Sequence, residues 1–265
     1  MPQLIRIFAQ YIKHMKILTI GDLHGRKVLD QIKLKIDKSD LAIFLGDYVD
    51  PYPMEDNIYT GKDLLKYLNN IIQIKRDNPD KVILLLGNHD VHYFYNDEYC
   101  TRYDYSLRPF LSKIYLSNLH LFQVAHQIDN NLWTHAGVTK KWLKKYESIF
   151  KEYGLKKDYS NLADILNELL YTEHRDILWE ISPYRGASWD NVGGPLWADA
   201  QESCLSVLPN MKQFVGHTSL IKKEHVKRNN GDGEGEVTYC DILSETVDKN
   251  GKRIINTDCH TMELE

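Results

Sequence analysis

The sequence has few cysteines, no long apolar run and little net charge. The four cysteines among its 265 residues form no CxxC pair and no dense cluster, which argues against a disulfide framework and indicates a reducing cytoplasm. The formal charge of −4 at pH 7 gives no strong nucleic-acid signal, although a local basic patch would be hidden in the sum. With 26% charged and 43% hydrophobic residues, the composition is that of an ordinary globular protein.

No stretch reaches the roughly 18 uninterrupted apolar residues of a membrane span, so we expect no membrane association. Residues 1–15 mix apolar and basic positions but lack the apolar core and cleavage site of a signal peptide. We therefore expect residues 1–15 to be an extension without assigned function and residues 16–265 to form a single domain in the cytoplasm. The sequence does not indicate an oligomeric state.

Apolar runs in the first hundred residues predict buried strands at 16–20, 41–45 and 82–86, each followed by a glycine and a polar pair. Between them, residues 27–36 and 60–77 carry apolar positions at helical spacing. Strands that alternate with helices predict an α/β fold with mainly parallel pairing. Ligands of such sheets bind beyond the carboxyl ends of the strands, where the polar pairs lie.

The sequence pattern in the second half of the chain predicts a helical segment and more strands. Residues 140–180 are charged and helix-patterned, and we expect them to form a cap or flank. Short apolar runs predict strands at 121–125, 132–134, 213–215, 237–243 and 253–256, the first two joined as a hairpin around residues 129–131.

Polar residues follow the predicted strands in short motifs. They are Asp22 and His24 in GDLHG, Asp47 and Asp50 in GDYVD, Asn88, His89 and Asp90 in GNHD, His135 in THAG and His217 in GHT. Any one aspartate or asparagine after a strand is more often a cap or a turn residue, but the whole set with its histidines predicts a metal site. Its oxygen and imidazole donors suit Mn²⁺, Fe or Zn²⁺. Two ions about 3.5–4 Å apart need a shared carboxylate, and such a pair can clamp the oxygens of a phosphoryl displacement.

Taken in order, these motifs resemble those of the calcineurin-like metallophosphoesterases, and within them the phosphoprotein phosphatase type. That type includes bacterial serine/threonine phosphatases and diadenosine tetraphosphate hydrolases. The resemblance runs from Lys16 to about Leu220 and implies layered β-sheets flanked by helices. Many relatives outside the phosphatase type carry a further histidine two places after the last ligand. This chain has Ser219 there, which favours the phosphatase type.

The resemblance also implies two divalent metal ions, with Mn²⁺ expected first and Fe or Zn²⁺ as alternatives. It assigns Asp22 and His24 to the first ion and the bridging position to Asp47. It assigns the second ion to Asn88, His135 and His217.

The chemistry expected of such a centre is attack on phosphorus by a hydroxide that bridges the two ions. An alkoxide leaves slowly unless it is protonated, so a positioned acid is needed. His89, next to Asn88, is the candidate acid. In the family the matching histidine is oriented by the aspartate that closes the GDxxD motif, here Asp50. We expect Asp90 to be structural.

One departure from the family concerns the substrate phosphate. The family usually continues GDxVD with Arg-Gly, and that arginine binds the phosphate, but here Asp50 is followed by Pro51. Because the guanidinium fork matches phosphate oxygens well, another arginine is expected to replace it. Arg185, in SPYRGASW, is the first candidate, and Arg102 and Arg108 are the alternatives.

The sequence predicts a metal-dependent phosphomonoesterase resembling protein serine/threonine phosphatases, whose partner is a phosphorylated substrate. Hydrolysis of a dinucleoside polyphosphate such as diadenosine tetraphosphate is the alternative, and it would make the substrate a nucleotide. A binding protein that lost the chemistry through Pro51 is a third interpretation. The remaining histidines are predicted to be surface or packing residues, and His92 is the first expected exception because it lies next to the GNHD motif.

Overall fold

The computed structural model describes residues 14–95, 100–220, 224–229, 233–247 and 253–264. The expected N-terminal extension lies almost wholly outside these ranges. No helix within them is both long enough and apolar enough to cross a membrane.

The first sheet contains the strands predicted from the first hundred residues. Its order is β12-β1-β2-β3-β4, with β1 to β4 parallel and β12 antiparallel to β1. Helices α1 (Leu29–Ile36) and α2 (Gly61–Asp77) connect β1 to β2 and β2 to β3, so these predictions are confirmed to within two residues. The edge strand β12 was not expected. The five strands are β1 (Met15–Ile20), β2 (Leu41–Phe44), β3 (Val82–Leu85), β4 (Phe122–Gln123) and β12 (His260–Leu264).

The second sheet has the order β5-β6-β7-β9-β8, in which β6, β7 and β9 are parallel neighbours. The predicted hairpin is present as β5 and β6. Its strands are β5 (Ala125–Ile128), β6 (Asn131–Thr134), β7 (Lys212–Val215), β8 (Glu224–Asn229) and β9 (Glu234–Tyr239).

The strand predicted at 121–125 is wrong as a single element, because the chain changes sheets at Val124. Residues before it pair in the first sheet as β4, and residues after it pair in the second as β5. The side chain of Asn167 accepts hydrogen bonds from the N–H groups of Val124 and Ala125 at 2.7 and 3.0 Å. A distant side chain thus satisfies the backbone where neither sheet does.

The two sheets stack face to face with helices outside. Because side chains alternate along a strand, one set on β1 to β3 packs against helices and the other against the second sheet. Between the sheets, Trp133 donates a 2.9 Å hydrogen bond from Nε1 to Oγ1 of the buried Thr19. The layer between the sheets contains Ile17, Leu41, Ile43, Leu45, Ile83, Leu85, Trp133, Phe214 and Cys240.

The segment 140–180 consists of short helices. Its longest, α7 (Leu162–Leu169), packs against β5 and so flanks the second sheet. A two-stranded ribbon, β10 (Glu245–Val247) and β11 (Arg253–Ile255), does not pair, within the described residues, with either of the larger sheets. The other α-helices are α3 (Asn88–Val91), α4 (Arg108–Asn118), α5 (Lys140–Lys145), α6 (Glu147–Glu152) and α8 (Ala200–Leu205), and 3₁₀ turns occur at Leu119–Leu121, Arg175–Trp179 and Pro183–Arg185.

Candidate metal centre and active site

The six candidate ligands lie directly after strands of both sheets, five of them on loops and Asn88 at the first residue of α3. Backbone hydrogen bonds join these loops: His24 donates to the carbonyl of Asp47 at 2.7 Å, and Gly216 donates to the carbonyl of His135 at 2.7 Å. Asp22 and His24 follow β1, Asp47 follows β2, Asn88 follows β3, His135 follows β6 and His217 follows β7.

Two motif glycines allow the loops to come this close. A Cβ at Gly87 would lie 2.1 Å from Oδ1 of Asp47, and a Cβ at Gly216 would lie 2.3 Å from Oδ1 of Asp22. Both distances are far below van der Waals contact, so any other residue would push a candidate ligand away. The glycines before Asn88 and His217 are therefore required by the neighbouring loop.

The backbone of the site is strained. Five of its non-glycine residues have positive φ, a region that costs such residues free energy unless the surroundings hold them there. These residues are His24 (42°), Asp47 (51°), Asp50 (58°), Arg102 (68°) and His217 (63°).

The candidate ligands form two donor groups that share one carboxylate. Asp22, His24 and Asp47 form one group, and Asp47, His135 and His217 form the other, with ligand atoms of each group within 4.8 Å of one another. Oδ2 of Asp47 lies 3.6 Å from Nε2 of His24 and 3.5 Å from Nε2 of His135. Asp47 therefore has the position that a bridging ligand requires.

Asn88 completes the second group. Its Oδ1 lies 2.8 Å from Nε2 of His135 and 2.9 Å from Nδ1 of His217. Its amide nitrogen donates to Sγ of Cys100 at 3.2 Å, which turns the oxygen toward the histidines.

Hydrogen bonds on the far side of two imidazole rings fix their tautomers. Nδ1 of His24 lies 2.9 Å from the carbonyl of Val49, and Nδ1 of His135 lies 2.8 Å from the carbonyl of Leu45. Each Nδ1 must carry the proton, so each Nε2 of the neutral ring presents a lone pair. The lone pair of His135 then faces the acceptor oxygen of Asn88, and a cation between such donors removes that repulsion. The residues thus fit divalent ions.

Burial sets the charge state of the site. It lowers the pKa of His135 to about 3 and the pKa of His24 and His217 well below the usual value, so these imidazoles are neutral and free to bind metal. Burial also raises the pKa of Asp22 and Asp47 well above the usual value, with neighbouring carboxylates adding to the effect. Cations would relieve this concentration of buried carboxylates.

His89 and Asp50 are in contact as the resemblance implied. Nδ1 of His89 lies 2.7 Å from Oδ2 of Asp50, and that oxygen also lies 2.9 Å from Nε2 of His92. Tyr93 donates its hydroxyl hydrogen bond to the other oxygen of Asp50. Burial alone would raise the pKa of Asp50, but the two histidines outweigh it and lower that pKa. The pKa of His89 is lowered to about 4 by burial, although Asp50 opposes this.

His92, the expected exception among the remaining histidines, lies beside Asp50 and is almost fully buried. The backbone N–H of Cys100 donates to its Nδ1 at 3.1 Å, so the ring proton is on Nε2, the nitrogen 2.9 Å from Oδ2 of Asp50. Its position next to the GNHD motif was the only sequence signal for this role.

Asp90 ties two loops together. Its carboxylate accepts backbone hydrogen bonds from Asp47 at 2.8 Å, Tyr48 at 3.1 Å and Gly87 at 2.8 Å, and a further bond from the hydroxyl of Tyr115 at 2.5 Å. These contacts give Asp90 a structural role, in which its carboxylate holds the neighbouring loops in place.

Arg102 lies directly against the candidate acid. Its Nη2 is 3.3 Å from Nε2 of His89, and its Nε donates to the carbonyl of Asp50 at 2.9 Å. The guanidinium stacks 3.8 Å from the ring centre of Tyr52, a residue of the segment that replaces the usual Arg-Gly. The ring of Tyr52 also contacts His24 at 4.9 Å between ring centroids.

Arg185 reaches the opposite side of the site. Its Nη2 donates to Oγ1 of Thr218 at 2.9 Å, and its Nε lies 2.7 Å from Oδ2 of Asp199. The pKa of His217 is lowered first by burial, then by His135 and then by the charge of Arg185. Arg108, the third candidate, is exposed at the first residue of α4.

Two buried charges beside Asp22 were not predicted. Arg26 donates to the carbonyl of Asp22 at 3.0 Å and makes two 2.8 Å hydrogen bonds to the carboxylate of Glu55. Asp241, also buried, is after burial the main cause of the raised pKa of Asp22. Asp241 is distant from Asp22 in the sequence, whereas Arg26 directly follows the GDLHG motif, and neither residue was among the predicted site residues.

The model of the calcineurin-like phosphoesterase family matches residues 15–220. With this match and the donor groups above, the class of protein is a metal-dependent phosphoester hydrolase. The chain belongs to the calcineurin-like phosphoesterase family, as its motifs indicated.

Two solved structures resemble this chain distantly. A metallophosphoesterase from Sphaerobacter thermophilus is 14% identical with a TM-score of 0.42, and the match covers 95% of this chain and 90% of that one. Yfce, a phosphoesterase from E. coli, is 16% identical with a TM-score of 0.25, over 46% of this chain and 58% of that one. No curated protein matches the chain.

Proposed function

We propose that this protein is a dinuclear metal-dependent phosphomonoesterase that acts on phosphorylated serine or threonine in proteins. The observation that carries the proposal is the position of Asp47, whose carboxylate belongs to both donor groups. Asp22 and His24 would hold the first ion with Asp47. Asn88, His135 and His217 would hold the second. When bound, the two ions, with Mn²⁺ as our first choice, supply Lewis acidity and activate water for attack on phosphorus.

The chain itself supplies the proton for the leaving group. His89 would donate it from Nε2, while Asp50 holds the ring through Nδ1 at 2.7 Å. The phosphate dianion next to Nε2 favours the charged imidazole, which offsets the effect of burial on its pKa. His92 and Tyr93 fix Asp50 from the other side, so the ring keeps one orientation.

Two arginines would bind the phosphoryl oxygens. Arg102 stands next to the acid, and its stacking on Tyr52 holds the guanidinium plane in place. Arg185 is held by Asp199 near His217. The loss of the arginine after Asp50 therefore need not mean loss of activity, which counts against the third interpretation, a binding protein without chemistry.

One observation supports the alternative substrate, a dinucleoside polyphosphate. Tyr184 and Trp189, on either side of Arg185 in the sequence, are 43% and 75% exposed and contact each other edge to face at 5.7 Å. Exposed aromatic rings beside a phosphate-binding arginine can stack on a nucleobase.

The test compares turnover of a phosphopeptide, para-nitrophenyl phosphate and diadenosine tetraphosphate by Mn²⁺-loaded protein. We expect the highest kcat/KM for the phosphopeptide, and a Trp189→Ala variant should not lower it. Fastest turnover of diadenosine tetraphosphate, reduced in Trp189→Ala but unchanged for para-nitrophenyl phosphate, would replace the phosphatase proposal by the dinucleotide one.

We propose a cytoplasmic location as well. Its support is that Cys100, Cys204, Cys240 and Cys259 are all free thiols, as is usual in a reducing compartment.

A further inference from the structure

A third cluster of metal-binding side chains includes the candidate acid. It consists of His89, His92 and Cys100, all buried, with potential ligand atoms within 4.8 Å of one another. Ligand atoms around a tetrahedral zinc ion are about 3.4–3.7 Å apart, given Zn–N and Zn–S bonds of about 2.1 and 2.3 Å. Small side-chain movements are therefore enough to place all three donors on one ion.

Asp50 offers a fourth donor at the same place. Its Oδ2 lies 2.7 Å from Nδ1 of His89 and 2.9 Å from Nε2 of His92, so both rings already converge on this oxygen. Two imidazoles, a thiol and a carboxylate form a donor set that suits Zn²⁺ and the softer Cd²⁺. The ligands that we propose for the dinuclear centre include no thiol, so the chemistry of the two sites differs.

We propose that His89, His92, Cys100 and Asp50 form an inhibitory site for a thiolate-binding divalent cation, Zn²⁺ or Cd²⁺. On binding, a metal–sulfur bond forms at Cys100 and the thiol proton leaves to solvent. His89 and His92 bind through the nitrogens that face Asp50, so the proton of each ring moves to its other nitrogen, Nε2 of His89 and Nδ1 of His92. Nδ1 of His92 then gives up the hydrogen bond from the N–H of Cys100. The thiolate and the carboxylate together neutralise the charge of the ion. Binding itself is independent of the proposed function, but inhibition rests on it, because the ion occupies the proposed acid and the carboxylate that orients it.

The ion would also act on the dinuclear centre through Asn88. The side-chain amide of Asn88 donates to Sγ of Cys100 at 3.2 Å, and the thiol donates to the backbone carbonyl of Asn88 at 3.4 Å. A metal on the sulfur competes with both contacts, so Asn88 would lose the partner that directs its oxygen toward His135 and His217. Weaker retention of the second dinuclear ion should therefore accompany inhibition.

The test is a Cd²⁺ titration of the Mn²⁺-loaded enzyme in excess Mn²⁺, followed by activity and by the ultraviolet charge-transfer absorption of a cadmium–thiolate bond. We expect a saturable band at one equivalent and a parallel loss of turnover. Cys100→Ser should abolish the band and raise the half-inhibitory Cd²⁺ concentration at least tenfold, relative to its own uninhibited rate. Cys204→Ser, which changes a partly exposed thiol in α8, should keep both properties of the wild type.

A second variant keeps the test valid if Cys100→Ser does not fold. His92→Gln removes an imidazole donor and should weaken Cd²⁺ binding measured by the same band. A band that persists unchanged in both variants, or the absence of any band, would overturn the site and leave the proposed function standing. A band that depends on Cys100 but brings no inhibition would overturn the inhibitory role and count against His89 as the acid.

Discussion

The backbone N–H of His89 donates a 2.8 Å hydrogen bond to Oδ1 of Asp47. One contact therefore joins the candidate acid to the carboxylate that both donor groups share. Because asparagine at position 47 keeps an oxygen that can accept this bond, its charge can be removed while the loop stays in place. That makes Asp47→Asn the most informative single substitution for metal binding.

Asp47→Asn should weaken the binding of both ions, since the shared carboxylate loses its charge. We expect the Mn²⁺ affinity of each site to fall at least about tenfold, which is the low end for changes around a metal ligand. Isothermal titration calorimetry and metal analysis after gel filtration measure this. Asp129→Asn, at the exposed β5–β6 turn, is the matched control. Loss of only one ion would rule out bridging.

His89→Ala should leave the metal content intact and slow the reaction, because it removes a proton donor and no proposed ligand. We expect kcat to fall about 10²–10⁴-fold for an alkyl phosphate, whose leaving group is poor, and less for para-nitrophenyl phosphate. Asp50→Asn should show the same dependence on the leaving group with a smaller loss. If His89→Ala emptied the metal centre, its assignment as an acid rather than a ligand would be wrong.

Arg102→Ala should raise KM or lower kcat/KM by about 10–100-fold, the effect of losing a charge-assisted bond of about 1.5–3 kcal/mol. Arg102→Lys should restore little, because lysine has neither the planar fork nor the stacking contact with Tyr52. Arg185→Ala should show a comparable loss and Arg108→Ala almost none. Steady-state kinetics on one phosphopeptide compares these four variants. A loss of kcat/KM in Arg108→Ala alone would contradict the proposal that Arg102 and Arg185 bind the phosphate.

Gly87→Ala should disturb the metal centre through sterics alone. The added Cβ would meet Oδ1 of Asp47 at 2.1 Å, so either the loop or the carboxylate must move. We expect a loss of about 1–3 kcal/mol in the free energy of unfolding together with weaker Mn²⁺ binding. Urea denaturation with and without Mn²⁺ measures both, and an unchanged Mn²⁺ affinity would argue against this packing.

Trp133→Phe should destabilise the layer between the sheets, since it leaves the buried hydroxyl of Thr19 without its indole donor. The expected cost is about 1–3 kcal/mol in the free energy of unfolding. Adding Thr19→Val should recover part of it, because the double variant has no unpaired polar group. Urea denaturation of both single variants and the double variant gives the coupling free energy between Trp133 and Thr19. Losses of unfolding free energy that simply add in the double variant would contradict the contact.

The sequence predicted what local patterns encode. Continuous apolar runs placed β1 to β3, and period-3.6 apolar spacing placed α1 and α2, all to within two residues. The glycine-polar motifs located the residues that surround the metal centre. The motifs worked because each glycine allows a close approach between loops, as Gly87 shows against Asp47.

Contacts between distant segments were not predictable in this way. The sheet change at Val124 depends on Asn167, and the placement of Arg102 depends on Tyr52 and Asp50. The position of His92 next to the GNHD motif marked it as an exception, but only the fold shows that its partner is Asp50. Each of these roles arises from a partner more than thirty residues away.

Crystals of the Mn²⁺-loaded protein, measured near the manganese absorption edge, test the central claim most directly. We predict two anomalous peaks per chain about 3.5–4 Å apart, with the carboxylate of Asp47 between them. A single peak, or two peaks that Asp47 does not join, would contradict a dinuclear centre built on this residue.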